Sequence, residues 1–131
     1  MIPKFRAWDK HGQKMFTNDE LIIWNGNVYA NDSKKLTCNN LKGWSIDDEY
    51  LMQSTGLCDK EGTEVFEGDI LHHQIQKEYT FIVKYDKDKG RWYGDGLSHT
   101  YRIDIAKRFL PYYYKVIGNI YENPELLEVE N

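Results

Sequence analysis

Short turn signatures punctuate this chain at four places, and the apolar runs between them are long enough only for short strands. Asp9-Lys10-His11-Gly12, Asp59-Lys60-Glu61-Gly62 and Asp86-Lys87-Asp88-Lys89-Gly90 share one logic. A leading carboxylate can accept from the backbone of the turn, and a closing glycine supplies the positive φ that a hairpin bulge needs. Asn25-Gly26 is a two-residue turn signal between Leu21-Ile22-Ile23-Trp24 and Val28-Tyr29-Ala30. Composition points the same way: three alanines against ten tyrosines, four tryptophans and eleven isoleucines favour pleated, half-buried surface over long helix.

The expected fold is therefore mainly β, in a chain of 131 residues that can bury a core unaided. An N-terminal β-hairpin subdomain is expected over 1–66 and an SH3-like small barrel with a short C-terminal helix over 67–131, the two forming one compact unit. The first strand is expected at Ile2 to Trp8, before the Asp9 turn. Residues 31–42 are polar and without periodicity, which predicts a long irregular loop. Leu51 to Ser54 and Thr63 to Phe66 read as the arms of the hairpin tipped at Asp59. Glu67-Gly68-Asp69 then turns the chain into five further strands, near Asp69 to Ile75, Thr80 to Tyr85, Arg91 to Tyr93, His99 to Ile103 and Val116 to Tyr121. In the second, Phe81, Val83 and Tyr85 alternate with Thr80, Ile82 and Lys84, the period of a strand with one face on a core. Asn123-Pro124-Glu125 places a capping residue and a first-turn proline for the terminal helix.

The chain holds 17 basic and 21 acidic residues, but Glu122, Glu125, Glu128 and Glu130 fall in the last ten positions, so the net charge of −4 belongs to the tail. A globally basic nucleic-acid binder is excluded, though a local patch is not. Cys38 and Cys58 have no partners at metal-ligand spacing and read as reduced thiols. No apolar run approaches a membrane span or a leader segment. These features place the protein in the cytoplasm, away from membranes.

Lys4-Phe5-Arg6-Ala7-Trp8-Asp9, the middle blocks Leu51-Met52-Gln53, Thr55-Gly56-Leu57 and Glu67-Gly68-Asp69-Ile70, and Val116 through Leu127 occur in order along nearly the whole chain. In this the sequence resembles the YopX-like proteins of bacteriophages and prophages. The resemblance implies a phage-encoded, mostly β protein of the bacterial host cytoplasm with no assigned activity, and it brings no catalytic residues. The same blocks have a physical reading: turns and caps at Gly56, Gly62, Gly68 and Pro124, and core at Phe5, Trp8, Leu51, Ile70, Ile117 and Ile120.

Several groupings invite chemistry. Asp59, Glu61, Glu64, Glu67 and Asp69 offer oxygen ligands, with Glu64, Glu67 and Asp69 the set for a metal-dependent enzyme, but no ligand spacing supports a metal, and a solvated hairpin explains them. Asp86-x-Asp88-x-Gly90 starts like a calcium loop and then fails, because position twelve is Leu97. Asp95, Ser98 and His99 supply the residue types of a hydrolytic triad without a nucleophile elbow. His72 and His73 point to opposite faces of a strand and read as exposed side chains. Gly90 to Gly96 lacks the Lys-Ser/Thr of a phosphate loop. Neither a catalytic set, a metal site nor a cofactor is expected.

The strongest local bias lies at 101–115, where Arg102, Lys107, Arg108 and Lys115 interleave with Tyr101, Phe109, Tyr112, Tyr113 and Tyr114. Such a stretch can hold phosphates while its rings stack bases, or it can form a protein-binding patch. Arg102, Lys107, Arg108, Tyr112, Tyr113 and Tyr114 are the candidate contact residues. Strand alternation sets Tyr113 opposite Tyr112 and Tyr114. The leading expectation is a non-enzymatic protein-interaction module whose partner is a phage or host protein or its own copies. The second is a single-stranded nucleic-acid binder whose basic stretch the acidic tail can screen.

Overall fold

The computed structural model describes residues 4–24, 27–30, 44–47, 50–75, 79–97, 102–104 and 113–127. Among them the regular structure is antiparallel strands in three sheets and short 3-10 turns, with no α-helix. The chain divides into two units, Met1–Gln53 and Ser54–Asn131.

In the first unit, β1 (Phe5–Asp9) pairs with β2 (Lys14–Phe16) across the Asp9 turn, setting Ala7 opposite Phe16. β3 (Leu21–Trp24), β4 (Asn27–Ala30) and β5 (Trp44–Ile46) form a second sheet in that order. The opening residues of β6 (Leu51–Cys58) pair with the other edge of β1. Ala7, Phe16, Val28 and Ile46 make the core, with Leu21, Tyr50 and Leu51 packed on it. The Asp9 turn departs from expectation in one respect. The positive φ, 52°, belongs to Gln13 and not to Gly12. Asp9 Oδ1 accepts from His11 N–H at 3.1 Å, and this folds the carboxylate against Gly12, where a Cβ would meet Asp9 Oδ2 at 2.7 Å. The glycine is needed there for room. Residues 31–42 and the Asn25-Gly26 turn lie outside the described residues, although Trp24 pairs with Asn27 on either side of that turn.

In the second unit the rest of β6 pairs with β7 (Glu64–Phe66). β8 (Asp69–His73), β9 (Thr80–Asp86), β10 (Arg91–Gly96), β11 (Arg102–Asp104) and β12 (Tyr114–Asn119) follow, in the sheet order β11-β10-β9-β8-β12, a curled half-barrel. Val65, Leu71 and Val83 are its buried centre, and Leu57, Trp92, Tyr114 and Val116 pack on them. The five strands expected after Asp69 are all present, with shifted ends. The last begins at Tyr114 and stops at Asn119, because the Asn119 carboxamide accepts from Tyr121 N–H at 3.0 Å and Glu122 N–H at 2.8 Å and turns the chain out of the ladder.

Three other expectations change. Ile117 is 38% exposed, since a bulge between Val116 and Gly118 leaves it out of the pairing with β8. Tyr85 continues the inward phase of Phe81 and Val83 but is 44% exposed, having run past the core toward the hairpin tip. The terminal helix is a single 3-10 turn, Pro124–Leu127, closed by Leu126 N–H on Asn123 O at 3.0 Å.

Asp59 holds the second unit together. It is 2% exposed. Its Oδ1 accepts from Glu61 N–H at 2.9 Å and Thr63 N–H at 2.8 Å, which closes the tip around Gly62, while Oδ2 accepts from Val116 N–H on β12 at 2.8 Å. Lys60 N–H adds a bond to Tyr114 O at 2.9 Å, so the tip covers the outer edge of β12. Removing a buried carboxylate that answers three part-buried backbone donors is costly. Asp59→Ala is expected to destabilise the protein by about 3 kcal/mol or more, read in urea unfolding as a lower midpoint at unchanged slope. Asp59→Asn keeps one acceptor oxygen and should fall between the two.

Gly94 marks a second tight point. A Cβ there would lie 3.0 Å from Ile103 Cγ1 and 3.1 Å from Phe81 Cβ, where β9, β10 and β11 cross in the curl. Overpacking of this kind costs about 1–3 kcal/mol, so Gly94→Ala should lower the melting temperature with the β circular-dichroism spectrum retained.

Candidate functional site

The β8–β12 ladder ends in a group of rings. Register sets Tyr114 opposite His73, and His73 N–H bonds to Tyr79 O at 3.0 Å while Gln74 N–H bonds to Tyr113 O at 2.7 Å. Three strands therefore deliver aromatic side chains to one place. The His73 imidazole stacks on Tyr113 with centroids 5.3 Å apart and planes at 8°, and meets Tyr114 edge-on at 5.0 Å. Tyr79 approaches its edge at 6.3 Å and stacks on Phe81 at 6.4 Å; Phe81 meets Tyr114 at 5.9 Å. Edge-to-face and offset pairs of this geometry are favourable beyond their buried area.

His73 is locked as well as packed. Its Nδ1 accepts from Ile75 N–H at 3.1 Å, which puts the proton of the neutral ring on Nε2. Beyond the cluster, Ile75 is 72% exposed and Tyr113 38% exposed. Tyr114 turns inward to the core, and Lys115, next along β12, is exposed. The result is a ledge: one face of the Tyr113 ring rests on an immobilised imidazole and the side chain reaches solvent.

The six candidate contact residues are distributed unevenly. Tyr113 lies just before β12 and Tyr114 opens it, so alternation does not part them: both rings meet the His73 imidazole, Tyr113 from the more exposed position and Tyr114 from the core side. Arg102 lies on β11, at the far end of the strand order from β12. Lys107, Arg108 and Tyr112 lie outside the described residues. His72 and His73 do face opposite ways, but neither is fully exposed: His72 Nδ1 meets Thr80 Oγ1 at 2.9 Å, and His73 belongs to the ring cluster. The role of His73, Tyr79 and Ile75 escaped the sequence reading. Their contacts follow from the β8–β12 register, which no local pattern announces.

The acidic groupings are committed to the backbone. Asp59 caps its own turn and Val116, Asp69 Oδ2 accepts from Phe66 N–H at 2.8 Å, and Glu64 accepts from Ser54 Oγ. Among the described residues no three His, Cys, Asp or Glu side chains gather as metal ligands would. Asp95 pairs with Lys84 at 2.7 Å, and Ser98 and His99 lie outside the described residues. Asp86 Oδ1 accepts from Asp88 N–H at 3.0 Å and Lys89 N–H at 3.2 Å, the work of a turn carboxylate.

The ledge separates two neighbouring tyrosines by their contacts. Tyr114→Ala removes a ring from the core side and should cost about 3 kcal/mol, whereas Tyr113→Ala, on the solvent side, should cost about 1 kcal/mol or less. Urea midpoints of the two variants measure the difference.

Comparison with known proteins gives consistent matches. The family model described as YopX protein matches residues 4–128. The crystal structure of protein EF1440 from Enterococcus faecalis is similar at 32% identity and a TM-score of 0.66, covering 98% of this chain and 99% of that one. The crystal structure of protein yopX from Bacillus subtilis shares the fold at 23% identity and a TM-score of 0.54, covering 98% of each. No curated protein matches the chain.

Proposed function

The chain belongs to the YopX family, and on that footing we propose that it is a phage- or prophage-encoded, non-enzymatic protein-interaction module of the bacterial host cytoplasm. The observation that supports this reading is the Tyr113 ledge. Tyrosine is enriched at protein interfaces, and a ring already stacked on a fixed neighbour loses little conformational freedom when a partner covers it. The partner is a phage or host protein. We read the half-barrel as the SH3-like small barrel of the sequence expectation; in support, the Asp59 tip reaches across to the outer edge of β12.

A single-stranded nucleic acid is the second reading, favoured by the exposed Tyr113 ring with the exposed Lys115 two residues further along the chain. Bases would stack on the tyrosine, with Arg102, Lys107 and Arg108 as further phosphate contacts.

Replacing Tyr113 with a photo-crosslinking phenylalanine analogue in the full chain, expressed in bacterial cells, is expected to give a discrete protease-sensitive adduct. The same probe at Lys87, on the exposed β9–β10 tip, is the control. A nuclease-sensitive adduct would transfer the site to nucleic acid, and labelling no stronger than at position 87 would reject the ledge.

A further inference from the structure

Among the described residues Ile75 is the most exposed of the large apolar side chains, at 72%. A lone apolar side chain on a surface needs no explanation by itself, but the backbone of this one is held in place. Its N–H donates to His73 Nδ1 at 3.1 Å, and the N–H of Gln74 before it donates to Tyr113 O at 2.7 Å. The same imidazole stacks on the Tyr113 ring. His73 therefore does two separable things: its face backs Tyr113, and its edge nitrogen anchors Ile75. The second is the work that a carboxylate does at the Asp59 and Asp86 turns, where an acceptor reaches the N–H two residues ahead. An aspartate or asparagine could do that alone. Only an aromatic acceptor can do both.

We infer that His73 is the positioning residue of the ledge: it sets Ile75 next to Tyr113 as a second anchor, and the partner is a protein segment that brings apolar side chains to the two. This rests on the protein-interaction reading of the ledge. The gain is preorganisation, since a side chain whose backbone is already fixed loses less freedom when a partner covers it. Ile75 has neither charge nor a π-face, and Gln74 beside it is neutral. This part of the ledge suits an apolar side chain and not a phosphate or a stacked base.

The photo-crosslinking analogue placed at position 75 of the full chain in bacterial cells is expected to give a protease-sensitive adduct of the same mass as the one from position 113. His73→Phe keeps a ring and loses the acceptor, whereas His73→Asn keeps an acceptor and loses the ring. With folding checked by circular dichroism, the yield at position 75 is expected to fall about fivefold in His73→Phe and to hold in His73→Asn. At position 113 the order is expected to reverse. A merely structural role would lower both probes together, so yields in the same order at both positions overturn the inference. An adduct at 113 with none at 75, or with a nuclease-sensitive one at 75, overturns it and leaves the ledge standing. Labelling at 113 no stronger than at Lys87 removes the reading beneath it, and the inference falls too. Should His73→Phe fail to fold, His73→Asn decides: a loss at 113 with the yield at 75 kept is expected, and equal losses overturn the inference.

Discussion

The carboxylate of Asp59 is the constraint on which the second unit depends. A charged group at 2% exposure is tolerable only if its oxygens are satisfied, and here backbone N–H groups from two distant segments do this. One oxygen shapes the hairpin tip, and the other fixes Val116 on β12. The phase of β12 follows. With Val116 opposite Leu71 and Tyr114 opposite His73, the inward residues are Tyr114 and Val116 and the outward one between them is Lys115, while Tyr113, just before the strand, is brought over His73. A slip of one residue would exchange the two sets, burying Lys115 and exposing the core side chains. The ledge thus owes its existence to a carboxylate on another hairpin.

The same commitment occupies other carboxylates of this segment. Asp59 and Asp69 are buried and answer backbone donors, and Glu64 answers a serine hydroxyl. In the β6–β7 pair, three residues of β6 between Ser54 and Cys58 stand against one of β7 between Phe66 and Glu64, and this irregular stretch is held by Thr55 Oγ1 donating to Val65 O at 2.7 Å. Polar side chains here replace missing ladder bonds, and the polarity of the stretch is accounted for by its own backbone.

What the sequence revealed and what it concealed divide along the range of the interactions. The tips at Asp59 and Asp86 were readable because an aspartate reaching N–H groups two to four residues ahead, followed by a glycine with positive φ, is a local matter. The strands after Asp69 were readable from alternation. The second oxygen of Asp59 was not, since Val116 lies 57 residues away and nothing near either residue marks the other. The bulge at Ile117 was equally hidden, because an apolar residue in an alternating run looks like core until the register slips. For the site, alternation set Tyr113 and Tyr114 on opposite faces, but the strand begins only at Tyr114, and Tyr113 stacks on the same His73 ring that Tyr114 meets. His73 shows the same limit, looking like a solvent-facing histidine until β12 brings Tyr113 over its ring.

Edges distinguish the two sheets that end in exposed strands. In a β-rich chain every end strand presents backbone donors and acceptors that must be covered, blunted or used. β12 is covered: Asp59 takes Val116 N–H and Lys60 donates to Tyr114 O, so its side chains, rather than its backbone, remain to meet a partner. At β3 the turn before the strand takes Leu21 N–H on Asn18 O, and Ile22 and Ile23 are exposed on opposite faces. A covered edge with an outward ring suits recognition through side chains, which can discriminate among partners.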